Sequence, residues 1–153
     1  MCFDAAMIAR ERRLLAEVSR WYAVIAMLAI IFGLSSIPNV AEPRTYTLPY
    51  DKVAHFGEYA VLGFALAGSL RRDASRWLPV AVLLVVAIAV AAAYGASDEF
   101  HQRFVHGRDP DVHDWFADVI GSTAGTIASV ALVRGRELRR ERSVTQSTAK
   151  TRS

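Results

Sequence analysis

The sequence predicts an all-α fold, a transmembrane four-helix bundle with an N-terminal amphipathic surface helix, and three observations lead to it. Apolar residues make up 53% of the 153 and gather in blocks instead of following the period of a soluble helix. Residues 77–96 (WLPVAVLLVVAIAVAAAYGA) carry no charge, which is the length a helix rising about 1.5 Å per residue needs to cross roughly 30 Å of hydrocarbon. Basic residues are also distributed unevenly. With four spans and an inner N-terminus, Arg44, Lys52, Arg103 and Arg108 are the only outer Lys or Arg, and the other fourteen of the eighteen face inward, as the positive-inside rule requires.

Residues 1–20 form a basic amphipathic segment, with Met7, Ile8, Leu14, Leu15 and Val18 set among charges over 5–20, suited to the inner surface. The first span follows over 21–37. It is expected to be uncleaved, because the charged region is long and no small-x-small site precedes Pro38. Arg12 and Arg13 stand too far from the apolar core to act as a twin-arginine signal. Pro38, Asn39, Pro43 and Pro49 break the helix into an outer loop. Asp51 is the expected N-cap of the second span, 53–70. Residues 71–76 make a tight inner turn before the third span, 77–96, and Gly107 and Pro110 interrupt the chain before the fourth, 115–133. The membrane domain is therefore 21–133. Residues 134–153, basic and then rich in Ser and Thr, are expected to form a disordered cytoplasmic tail.

Composition excludes several classes. The net charge of +3 is accounted for by topology, and no basic stripe with interleaved aromatics points to nucleic acid. Cys2 is the only cysteine, so an internal disulfide and a cysteine-based zinc site are excluded.

Three polar stripes remain to be explained. Asp51, His55, Glu58 and Tyr59 share one face of the second span near its outer end. The third span ends in Asp98, Glu99 and Gln102. Along the fourth, Asp111, Asp114, Asp118, Ser122 and Gly125 recur at steps of three or four residues. Ionisable groups facing lipid are costly, so these stripes are expected to converge inside the bundle or in a wet outer cavity. Gly121 and Gly125 form a G-x-x-x-G pair that lets another helix approach closely, either the second span or a second copy in a homo-oligomer.

These residues also carry a resemblance. DKVAHFGEYAVLGF followed by SDEFHQRFVHGRDPDVHDWFADVIGSTAG resembles the VanZ-like family of small multi-pass bacterial membrane proteins. That family's pattern is D-K-x-x-H-F-x-x-Y, then E-x-x-Q-x-F, a G-R, and D with D or N before a glycine-rich last helix. It matches Asp51, Lys52, His55, Phe56, Tyr59, Glu99, Gln102, Phe104, Gly107, Arg108, Asp114, Asp118 and Gly121. His106 stands where the family often has proline, and Asp118 where it often has asparagine. The resemblance implies a multi-pass protein of the bacterial inner membrane and cell envelope, linked to glycopeptide (teicoplanin) susceptibility. It implies no reaction.

The residues themselves leave several functions open. His55 and Glu99 are the candidate acid–base pair of an enzyme acting on a lipid headgroup, with Arg108 holding an anionic group. Asp51, Lys52, Tyr59, Gln102, Arg108, Asp114 and Asp118 are the candidate ligand-binding set, for a lipid-linked or anionic envelope ligand. The same acids can instead pair with Lys52, Arg103 or Arg108 to lock the bundle, and a small transporter or scaffold would use the same features. His55, Glu99, Asp114 and Asp118 are chemically able to hold a metal, yet no H-E-x-x-H spacing occurs, and neither a metal nor a cofactor is expected.

Overall fold

The computed structural model describes residues 5–38, 50–74 and 78–151. Among these the chain is wholly helical, with four helices and no strand: α1 (Ala5–Ser35), α2 (Tyr50–Ala74), α3 (Val80–Gln102) and α4 (Val112–Thr151). Three segments are long and apolar enough to cross a membrane, Asp51–Arg72, Val80–Gln102 and Val112–Gln146, whereas Trp21–Ser35 is a shorter apolar helix. The first expected span is thus the shortest of the four. It is also not separate from the surface segment, since α1 runs unbroken from Ala5, with no proline or glycine before Gly33 to interrupt it.

Packing is inverted relative to a soluble bundle. Val85, Val90, Phe116, Ile120 and Ile127 point outward, while α4 buries Asp114, Asp118, Ser122, Thr126 and Ser129. That inversion suits lipid, which solvates apolar side chains as well as a core does, so small and polar residues take the helix–helix contacts. An apolar cluster fills the middle, with Val24 and Ile31 of α1, Tyr59, Leu62 and Leu66 of α2, and Ala87 and Ala91 of α3. Tyr94 ties α3 to α1 by donating to the Leu28 carbonyl at 2.6 Å.

The α2–α4 seam is the most extensive contact in the fold. A side chain at Gly121 would run into the backbone of Phe56, one at Gly125 into Ala60, and one at Gly63 into Ser122. Thr126 adds a hydrogen bond from its hydroxyl to the Gly63 carbonyl at 3.2 Å. Gly121 and Gly125 are therefore consumed by α2, the first of the two neighbours expected for this face.

Several boundaries differ from expectation. Asp51 lies in the first turn of α2, because the helix starts at Tyr50. Beyond residue 133, α4 does not dissolve into a tail. It stays helical to Thr151, since residues 134–142 are mostly Arg, Glu and Leu, all good helix formers, and Arg71 of α2 holds Glu137 at 3.0 Å. Cys2, Pro43, Pro49, Arg76 and Trp77, on which parts of the sequence reading rest, lie outside the described residues.

Candidate functional site

The site is built where α2 and α4 begin and α1 and α3 end. Asp111 organises its rim. As N-cap of α4 it accepts the His113 backbone N–H at 2.9 Å, and Lys52 of α2 reaches its other oxygen at 2.9 Å. Its own backbone N–H donates to Glu99 of α3 at 2.9 Å. The His113 amide first, and then Lys52, hold the Asp111 carboxyl well below the usual carboxylate range. Lys52 also donates to Asp114 at 2.8 Å.

One turn inward, His55 Nδ1 stands 2.9 Å from Asp118 Oδ1, with the Asp118 side chain 0% exposed. Gly95 makes room for this carboxylate, because a Cβ there would lie 2.7 Å from Asp118 Oδ2 and 3.3 Å from the Tyr59 ring. His55, Glu99 and Asp118, one residue from each of three helices, bring their ligand-capable atoms within 4.8 Å of one another. The expected convergence of three stripes is present in the fold.

Other members of the candidate set are placed differently. Gln102 donates to Asp98 at 3.2 Å. Tyr59 is enclosed in the core, its ring 6.4 Å from that of Tyr94. Arg108 reaches back to α1, donating to the carbonyls of Leu34 and Ile37 at 3.3 Å each. A guanidinium at a helix C-terminus satisfies carbonyls that have no intrahelical partner and offsets the negative end of the dipole. Gly107 (φ 75°) permits the turn that aims it. The expected role of holding an anion is thus set against a structural one. Of the remaining histidines, His101 stacks on Phe32 at 4.7 Å and contacts Ser36 at 3.1 Å.

Two openings meet this cluster. A polar cavity of about 70 Å³, lined by Asp51, His55, Glu58, Asp98, Gln102 and Arg108 among others, has room for a few waters. On the other side, between α3 and α4, an open groove of about 420 Å³ is lined by Glu99, Phe100, Arg103, Pro110, Val112 and Trp115. The Trp115 indole, on its wall, donates to the Ala92 carbonyl at 3.0 Å. Arg103 stands over the Phe100 ring, 5.6 Å from its centroid. Glu99 therefore borders both the groove and the buried cluster. Asp98, Arg103 and Trp115 were not among the candidate ligand residues. Asp98 and Arg103 belong to the same charged run, but spacing along the sequence does not tell which face a helix end presents.

A family model described as VanZ/LLP1 matches residues 13–133 of the chain, a stretch that includes every residue of the site. No curated protein and no solved structure matches it.

Proposed function

Because the chain belongs to the VanZ/LLP1 family, we propose that it serves the bacterial cell envelope from the cytoplasmic membrane and engages a lipid-linked envelope component at an outward-facing polar site. Both termini are then cytoplasmic. The bundle supports this orientation: Arg71, Arg72 and the arginines from Arg134 to Arg142 cluster at the end opposite Asp51, Glu99 and Asp111, as the positive-inside rule asks.

The observation that carries the reading is the position of Glu99, on the wall of a groove open between two lipid-facing helices and beside the buried His55–Asp118 pair. A lipid chain can lie along the apolar faces of α3 and α4 while its headgroup meets Glu99, with Arg103 at the rim for a phosphate and Trp115 at the level of the interface. In the inner cavity, acids (Asp51, Glu58, Asp98) outnumber bases (His55, Arg108), and Arg108 is engaged by carbonyls. Hydroxyls or an ammonium of the headgroup suit that space better than its phosphate. His55, oriented by Asp118, and Glu99 are then the acid–base pair if the ligand is transformed.

The test is purified protein in nanodiscs with envelope lipid extract, read for bound and altered lipid. Arg103→Ala and Glu99→Gln are expected to weaken lipid capture by about tenfold or more, since each removes a charged partner. His55→Gln, which keeps a hydrogen-bond donor for Asp118, spares capture and abolishes any turnover. Equal capture by all variants, with ion flux in liposomes, would replace this reading with a transporter. Equal capture without flux leaves a scaffold.

A further inference from the structure

The buried end of the site holds more negative charge than its own cations answer. Lys52 is taken by Asp111 and Asp114, and Arg108 by two carbonyls. Among the described residues no lysine or arginine forms an ion pair with Asp98, Glu99 or Asp118. Each of these carboxylates keeps one oxygen, Asp98 Oδ1, Glu99 Oε1 and Asp118 Oδ2, shut from solvent with no hydrogen-bond partner. Glu99 is 9% exposed and Asp118 0%. A carboxylate so enclosed must either carry a proton or be matched by a cation, because its desolvation is otherwise uncompensated.

We propose that His55, Glu99 and Asp118 bind one divalent transition-metal cation of the zinc or manganese class. Their ligand atoms already lie within 4.8 Å of one another. His55 Nδ1 and Asp118 Oδ1, now hydrogen-bonded at 2.9 Å, need to part by only about 0.5 Å to reach the roughly 3.4 Å between ligands of a tetrahedral ion with bonds of about 2.1 Å. The ion takes the place of the proton shared between them, and that proton leaves to water. Glu99, whose ligand oxygen lies within 4.8 Å of both, completes the set by a side-chain adjustment. One imidazole with two carboxylates favours zinc or manganese over magnesium or calcium, which prefer oxygen alone. The charges also balance, with two carboxylates and a neutral imidazole around a dication. The cavity beside His55 supplies an entry path and waters for the open positions. A second trio, Asp51, His55 and Asp114, is as close, but Asp51 is exposed and Lys52 already occupies Asp114.

The proposal rests on the reading of the same site as a headgroup site and makes His55 and Glu99 ligands of the ion in place of an acid–base pair, and its test uses no lipid. Full-length protein purified in detergent is stripped with a chelator, equilibrated with Zn²⁺ or Mn²⁺, and measured for bound metal by elemental mass spectrometry and for thermal stability. The expected result is one equivalent per chain and a raised Tm. Glu99→Gln should lower the affinity by about tenfold or more with helical circular dichroism unchanged, while His106→Gln, at the exposed loop, should not alter it. Asp118→Asn should behave like Glu99→Gln; should it fail to fold, Glu99→Gln alone decides. Metal below about a tenth of an equivalent, or wild-type binding by Glu99→Gln, overturns the proposal. So does a loss on Asp51→Asn that Glu99→Gln does not share. Metal binding without lipid capture sinks the headgroup reading alone, and lipid capture by metal-free protein with no metal uptake sinks the metal site alone.

Discussion

Among the described residues Lys52–Asp114, His55–Asp118 and Arg71–Glu137 join α2 to α4, and the last two, near opposite ends of the seam, have opposite characters. Arg71–Glu137, at 3.0 Å, has side chains 15% and 54% exposed. His55–Asp118, at 2.9 Å, has side chains 9% and 0% exposed. At the basic end water competes for both partners and salt screens them, so the pair contributes little. At the site end no water reaches Asp118, and removing its partner strands a charge in a medium that cannot solvate it. The same helices are thus tied by a replaceable contact at one end and an irreplaceable one at the other. The candidate site lies at the second.

Substitutions along the seam grade this contrast. The largest effect is expected between the two ends, at Gly125→Leu, because any side chain there drives into the backbone of Ala60. Helix separation of that kind should cost more than about 3 kcal/mol, visible as loss of the cooperative melt in detergent. Next comes the paired test. His55→Ala should destabilise by about 3–5 kcal/mol, since it leaves the Asp118 carboxylate uncompensated, and Glu137→Ala by less than about 1 kcal/mol. Equal losses in thermal or denaturant titration would break the comparison.

The smallest effect is at the rim and depends on pH. Asp111 binds a proton less readily folded than unfolded, because it accepts the His113 amide and faces Lys52. Its contribution is fully present above its unfolded value, near about pH 4, and is lost as pH falls through the lower folded one. The Tm difference between wild type and Asp111→Asn should therefore shrink as pH falls below about 4. A difference that grew on acidification would place Asp111 in another environment.

Much of this architecture was legible in the sequence, because blocked apolar runs and three- or four-residue stripes are local signals. The uncharged run before Ser97 marked α3, and the Asp114–Asp118–Ser122–Gly125 stripe marked the buried face of α4 before its partner was known. The glycine pair was legible as a contact surface, while the helix that fills it is a matter of tertiary packing. Arg108 was legible only as a charge. Its bond to the Leu34 carbonyl spans 74 residues, a separation no periodicity encodes. The groove escaped for a similar reason, since it is lined jointly by Glu99, Phe100 and Arg103 at the end of α3 and Val112 and Trp115 at the start of α4. The helical continuation of α4 was missed because composition suggested disorder where Arg, Glu and Leu favour helix and Arg71 supplies an anchor.

The length of α4 has a mechanical consequence. At 40 residues it is about 60 Å long, twice the roughly 30 Å of hydrocarbon it can occupy. The half that stands clear is one stiff rod with the half that carries Asp114 and Asp118. A tilt of about 10° at the membrane would swing the far tip by about 5 Å, so the helix is a lever with one arm at the site and an equal arm beyond the opposite face of the bilayer.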